Sequence, residues 1–399
     1  MRIAIVSSYK IECGIARFSE IIEKGLSPGN DVTVFELPPH ELKTSFGATR
    51  NGTELFLKKL CAELSTFDAV SVQCEYSLFA DSIPVSVERI KRVLSANRNT
   101  TLTLHTVINR STSADTPIPH PLKWIAAPKA TARGFIGSMR SAMAAREELK
   151  LFDFVKKNKV KVIVHTETTK MILRQRFRLP FVECHPLCYT SAEEKPAFNH
   201  TQCRAELVDK LLLGESAKLI GVFGFFGNYK GFDYAIRCLS RLPADFKLVV
   251  FAGLHPNLIK GSDSSLIDQL ILLAKRNKVL DRVFFMGNVD DQSLYRAIAG
   301  VDYAWLPYRE VGQEASAICS EVAELSQRML ISRNFAFIDY MKFGLRNDYE
   351  FFEIGNVEEL RLKTMLYDRF HKPDQAVPSV QDHAERQAAF YSEVLLGAS

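Results

Sequence analysis

The chain has 399 residues, 47% hydrophobic and 24% charged, with a net charge of +5. That is too long for one ordinary core, so two domains are expected, and too mildly basic for a nucleic-acid binder. No apolar run approaches the roughly 20 residues needed to span a bilayer, and eight cysteines scattered through apolar segments fit reduced thiols better than a disulfide framework. Arg2–Val6 reads as a buried strand starting directly after the first residue, which leaves no room for a secretory signal and points to a cytoplasmic protein. Ser7–Gly14 is a loop and Ile15–Gly25 a helix, with Gly14 at the turn where backbone can pass close to a ligand. Val32–Phe35, Ala69–Gln73, Thr101–His105 and Val160–His165 continue as strands, Glu54–Leu64 as a helix. The alternation is βαβα, which implies a parallel sheet with helices on both faces and ligands at the carboxyl ends of the strands. His105 and His165 both fall at such ends.

Between Arg110 and Arg146 there are six Lys or Arg and one acid, Asp115, followed by Lys156, Lys157, Lys159 and Lys161. This basic 110–161 region is a solvated face or a contact for anionic head groups or a phosphorylated acceptor. Phe177–Gly214, interrupted by Pro180, Pro186 and Pro196, reads as the link between domains. Cys184-His185-x-x-Cys188 is the one cluster of metal-ligand types, and with no second paired motif no metal site is expected.

A second series opens with Lys218–Phe223 and the glycines 224, 227 and 231, with Lys230 just before a helix from about Phe232. Glycines let backbone approach an anion and the lysine adds a point charge, although this is not a G-x-x-x-x-G-K-[ST] loop. Leu248–Ala252 and Val283–Met286 are strands, and Val301–Leu306 is a strand stopped by Pro307. Tyr308–Glu314 is a polar loop, and Ser316 can cap a helix whose Ile318, Val322 and Leu325 keep helical spacing. A helix start at the end of a parallel strand is a ready anion site, and the loop before it could hold hydroxyls. Phosphate and hydroxyls together suggest a sugar nucleotide. A strand begins near Met329–Ser332, a short strand follows near Phe335–Ile338, then helices over Ile354–Phe370 and His383–Leu396.

Taken in order, Gly14-Ile-Ala-Arg-Phe, Gln73-Cys-Glu-Tyr-Ser-Leu-Phe, Thr103-Leu-His-Thr, Asn228-Tyr-Lys-Gly, Met286-Gly-Asn-Val and Pro307-Tyr-Arg-Glu resemble the retaining GT-B glycosyltransferases of family 4, which include bacterial mannosyl- and glucosyltransferases of polysaccharide assembly. The resemblance covers nearly the whole chain. It implies an α/β, GT-B architecture of two Rossmann-like, doubly wound parallel-sheet domains facing a cleft: residues 1–190 for the acceptor, 191–375 for the nucleotide-sugar donor, and 376–399 as a helix crossing back to the first domain. It further implies that His105 contacts the transferred sugar, that Lys230 neutralises the donor pyrophosphate with Gly227 beside it, and that Ala315, Ser316 and Ala317 present backbone N–H groups to the distal phosphate. Met286 and Asn288 would read the base, Glu321 would hold the ribose, and Gly14 would leave room for donor phosphate or acceptor. Gln313 and the neighbouring Glu314 stand where the first glutamate of the family's pair is expected. The basic residue usual a few positions before the lysine is absent, since Phe225, Phe226 and Gly227 fill that stretch.

The activity implied is metal-independent, retaining hexosyl transfer from a UDP- or GDP-sugar to a glycan, lipid-linked or other hydroxyl acceptor, with no cofactor, no nucleic-acid partner, and peripheral contact at the inner membrane face through the basic region. The alternatives are a non-catalytic nucleotide-sugar or glycan-binding subunit and a sugar-nucleotide epimerase.

Overall fold

The computed structural model describes residues 1–11, 14–42, 48–108, 128–189, 198–253, 265–310, 315–343, 349–370 and 380–397. The chain forms two compact units. One comprises Met1–Pro186 together with Glu385–Ser399, the other Leu187–Ala384.

The first unit holds a six-stranded parallel sheet: β1 (Arg2–Ser7), β2 (Asp31–Glu36), β3 (Ala69–Cys74), β4 (Thr100–Leu104), β5 (Lys161–Val164) and β6 (Val182–Cys184), in the order β2-β1-β3-β4-β5-β6. Central strands β3 and β4 are buried along their whole length, as strands covered on both faces must be. The helix Val380–Leu396 belongs to this unit through its second half. Tyr391 and Leu395 are fully buried, Ala388 packs where a Cβ on Gly25 would lie, and Asn99 Nδ2 and Lys161 Nζ donate to the carbonyls of Leu395 (3.0 Å) and Val394 (2.7 Å).

The second unit repeats the design with β7 (Lys218–Phe223), β8 (Phe246–Phe251), β9 (Val283–Phe285), β10 (Tyr303–Leu306), β11 (Met329–Ser332) and β12 (Tyr349–Phe352), in the order β12-β11-β10-β7-β8-β9. All pairings are parallel, with β7 against β8 in the register Ile220↔Leu248 and β10 against β7 at Tyr303↔Ile220. Side chains alternate between faces with a period of two. Leu219, Phe223, Val249 and Leu306 join one apolar layer with Val322 and Phe337, while Ile220, Val222, Leu248, Val250 and Trp305 join the other with Ile236 and Leu360. Burying each such side chain contributes about 1.5–3 kcal/mol.

Two local expectations fail. Phe177–Gly214 is more than a link: it contains β6 and the helix His200–Lys210, whose cap Asn199 accepts from the Gln202 N–H. Phe335–Ile338 begins a helix, Phe335–Lys342, and the strand of that region is β12 further on. The apolar run favoured a strand locally, but the Asn334 side chain accepts from the Phe337 N–H at 2.9 Å and starts a helical turn instead. Among the described residues no helix is long and apolar enough to cross a membrane.

Candidate phosphate site in the second unit

The strand order reverses between β7 and β10. From β7 the chain builds outward through β8 and β9, then returns to place β10 on the other side of β7. The helix after β7, Phe232–Leu239, covers one face of the sheet, and the helix after β10, Ala317–Leu325, covers the other. A crevice between diverging helices at such a switch point is where open α/β sheets bind ligands.

The turn after β7 is clamped from both sides. Gly224 and Phe226 donate backbone N–H groups to Phe251 (3.0 Å) and Gly253 (2.9 Å) at the end of β8, and the Tyr229 carbonyl accepts from the Arg309 N–H (2.7 Å) beyond β10. Gly231 sits at φ 70°, and a Cβ there would lie 1.8 Å from the Pro307 carbonyl oxygen, so only glycine allows the turn to close on β10. Lys230, the residue before it, is 6% exposed. Its ammonium donates to the Tyr308 hydroxyl, stands 4.3 Å over the Tyr308 ring centroid and 5.2 Å over that of Tyr229. Burial pulls the Lys230 pKa down from 10.5 to about 7, against the opposing pull of Glu321 and Cys319.

Facing it, Ser316 caps the Ala317–Leu325 helix, its Oγ accepting from the Cys319 N–H at 3.2 Å. Ala315, Ser316 and Ala317 are half-buried, and the first-turn N–H groups of Ala317 and Ile318 have no place in the intrahelical ladder. A Cβ on Gly224 would stand 3.1 Å from Lys230 Nζ and 3.4 Å from Ile318 Cγ1, which brings the glycine turn, the lysine and the helix start together. Glu321, 6% exposed, lies one turn further along the same helix and acts on Lys230 electrostatically. Gly227 is half-buried within the turn. Met286 donates its N–H to Val250 (2.9 Å), and Asn288 is pressed against Gly253, where an added Cβ would lie 2.6 Å from the Asn288 Cβ. These residues therefore line the carboxyl edge of β8 and β9 next to the turn. Gln313 and Glu314 lie outside the described residues.

Sequence reasoning missed Tyr308. Its signal was available: an aromatic with a hydroxyl placed directly after the strand-ending Pro307.

In the first unit, His105 follows β4 and His165 follows β5. Their ring centroids are 4.9 Å apart, and the Phe18 ring stands edge-on to both, at 5.3 Å and 5.6 Å. Gln73 Nε2 donates to Ser71 Oγ, so its Oε1 faces His105 Nε2 at 3.0 Å and accepts the proton there. His165 Nδ1 donates to the His185 carbonyl at 3.0 Å. Burial holds the His105 pKa well below the usual range, helped by the facing His165, and holds that of His165 at about 4. Both rings are neutral near pH 7. Gly14 is the exposed first residue of the helix Gly14–Leu26. His185 of the Cys184–Cys188 cluster bonds the Pro186 carbonyl through Nδ1 (2.8 Å) and stacks near Phe390, and among the described residues no group of three or more His, Cys, Asp or Glu is arranged to hold a metal ion.

No protein-family model matches the sequence, and no curated protein does. Solved structures match over the full length. A glycosyltransferase from Rickettsia africae has a TM-score of 0.65 at 14% identity, covering 100% of this chain and 99% of that one. Sucrose-phosphate synthase from Thermosynechococcus elongatus has 0.64 at 13%, covering 99% and 96%. HepE of Anabaena, solved in complex with UDP and glucose, has 0.61 at 12%, again covering 99% and 96%. The chain therefore has the GT-B fold: two parallel six-stranded sheets, each flanked by helices.

Proposed function

We propose that the chain is a glycosyltransferase that moves a hexose from a UDP- or GDP-sugar to a hydroxyl acceptor with retention of configuration, using no metal ion, in the manner of family 4. One observation carries this reading: a buried lysine clamped beside a capped helix start at the switch point of the second sheet. HepE, with the same fold, is solved with UDP and glucose, which favours a uridine donor.

The leaving diphosphate accumulates charge as the glycosidic bond breaks. Lys230 and the first-turn N–H groups of the Ala317–Leu325 helix meet that charge, and they need no reorganisation because the turn and the cap already fix them. Glu321 holds ribose hydroxyls, Met286 and Asn288 border the base, and Gly227 leaves room at the turn. Catalysis is then positioning and electrostatics, with the acceptor hydroxyl held on the face the diphosphate leaves. His105, neutral and bonded to Gln73, offers its imidazole to a sugar hydroxyl, and Gln313 or Glu314 orients the sugar. The basic 110–161 region recruits a glycan or lipid-linked acceptor, with peripheral contact at the inner membrane face.

Lys230→Ala is the test. It should lower turnover of the UDP- or GDP-sugar by orders of magnitude and abolish nucleoside diphosphate binding by calorimetry, while circular dichroism stays that of the folded protein. Near wild-type turnover would remove the mechanism. The stretch Phe225-Phe226-Gly227, where the resemblance implies a basic residue, supports a second reading as a non-catalytic nucleotide-sugar- or glycan-binding subunit. Binding of UDP-sugars with neither hydrolysis nor transfer would select it.

A further inference from the structure

Tyr308 has no task in the reading above, yet it touches both Lys230 and the Ser316 cap of the candidate phosphate site. It is 1% exposed, its ring packed edge-on to Tyr229 at 5.7 Å and tilted against Phe337 at 5.0 Å. Its hydroxyl accepts from Lys230 and lies 3.4 Å from Ser316 Oγ. Chemistry fixes the direction of the first of these bonds only. An ammonium only donates, so the Tyr308 oxygen accepts from Lys230, while between Tyr308 and Ser316 either hydroxyl can donate. Ser316 Oγ also accepts from the Cys319 N–H at 3.2 Å. One polar chain thus runs from the glycine turn after β7, through the end of β10, to the first turn of the helix on the opposite face.

We propose that Tyr308 is a positioning residue for the donor diphosphate: its hydroxyl holds the Lys230 ammonium beside the start of the Ala317–Leu325 helix, so that phosphate oxygens meet the cation and the backbone N–H groups together. The proposal rests on the diphosphate reading of this site. A lysine head on a flexible four-carbon stem loses rotamer freedom when it binds, and a group held in place beforehand has less to lose. The groups that face Nζ are the Tyr308 and Tyr229 rings, Glu321 and Cys319. Without the hydroxyl, the ammonium is left with the rings and the pull of Glu321, which lies along the helix beyond its first turn. An acceptor for the charged form also favours that form, so losing it lets Lys230 give up its proton at lower pH.

Tyr308→Phe removes the oxygen and keeps the ring. The Lys230 ammonium is followed by nitrogen-detected NMR titration of the ligand-free protein, with Lys230→Met for assignment, and calorimetry compares UDP, GDP and the bare nucleosides. The expected result is a lower titration midpoint for Lys230 and a nucleoside diphosphate Kd raised about tenfold, the scale of one charged hydrogen bond, with nucleoside affinity unchanged. Ser316→Ala, which removes the far end of the chain and leaves the ring packing alone, should give a smaller loss of the same kind, and it carries the test if Tyr308→Phe fails to fold. Equal losses for diphosphate and nucleoside would mark Tyr308 as packing only and overturn the proposal. Tight UDP or GDP binding by the wild type with an unchanged Tyr308→Phe variant overturns the assignment to Tyr308 alone. A wild type that binds neither UDP nor GDP overturns the diphosphate reading and this proposal with it.

Discussion

Lys230 is a costly residue to keep. Its ammonium sits among two aromatic rings and has a pKa of about 7, well below the 10.5 of a free lysine. The unfolded chain therefore binds a proton between pH 7 and 10.5 that the folded chain does not, so stability rises with pH across that window and the full penalty applies below pH 7. Lys230→Met should be more stable than wild type at pH 6 to 7, and the gap should close toward pH 10 in urea titrations. Wild-type affinity for a diphosphate should fall as pH rises through about 7, as the ammonium is lost. The neighbouring Gly231 has the opposite character, since nothing else fits at φ 70° against Pro307. Gly231→Ala should cost about 2 kcal/mol or more, read as a lower urea midpoint, through backbone strain and the displaced turn. The lysine and the glycine were legible as a pair in Asn228-Tyr-Lys-Gly. Tyr308 was visible as an aromatic hydroxyl after Pro307, but its nearness to that pair was not, because it follows β10 far along the sequence and only the β7–β10 pairing brings it near.

At the scale of elements, the alternating strands and helices were readable because parallel strands buried on both faces are almost wholly apolar, as in Leu248–Phe251 and Tyr303–Leu306. Boundaries were not, nor were β6, the helix His200–Lys210 and the helix Phe335–Lys342. The Phe335-Ala-Phe-Ile338 run has the composition of a strand, yet the Asn334 cap and the packing of Ala336, Phe337 and Met341 make it a helix, its side chains buried against the second sheet. The tertiary contact overrode the local preference. Asn334→Ala should lower stability by about 1 kcal/mol in denaturant titration, the usual worth of such a cap. The same device at Ser316 is legible in sequence, where a serine precedes helically spaced apolar residues, because nothing competes with it there.

For the molecule as a whole, the two histidines of the first unit add an acid sensitivity. Each is held neutral by burial, with His165 at about 4, so as pH falls below the ordinary 6.5 the unfolded chain takes up protons first. Stability should fall between pH 6.5 and 4, and His165→Asn should flatten that slope in urea titrations run across the range. Each sheet reverses its strand order once, and in the second unit that reversal brings the glycine turn and the helix start together. The order of motifs along the sequence was enough to suggest the GT-B fold. It carried no information on which strands would be neighbours, and so none on how β7 and β10 meet.

The first unit is built from both ends of the sequence: Met1–Pro186 is completed by Glu385–Ser399, with Tyr391 and Leu395 fully buried. During synthesis on the ribosome, then, the second unit can close before the first. A nascent chain that has just emerged as far as Pro186 leaves uncovered the surface around Phe18, Gly25, Asn99 and Lys161 on which the last helix packs. That surface must wait for the whole of Leu187–Ala384 to be made. A fragment ending at Pro186 should precipitate when expressed alone and be recovered as soluble material when a peptide spanning 380–399 is supplied.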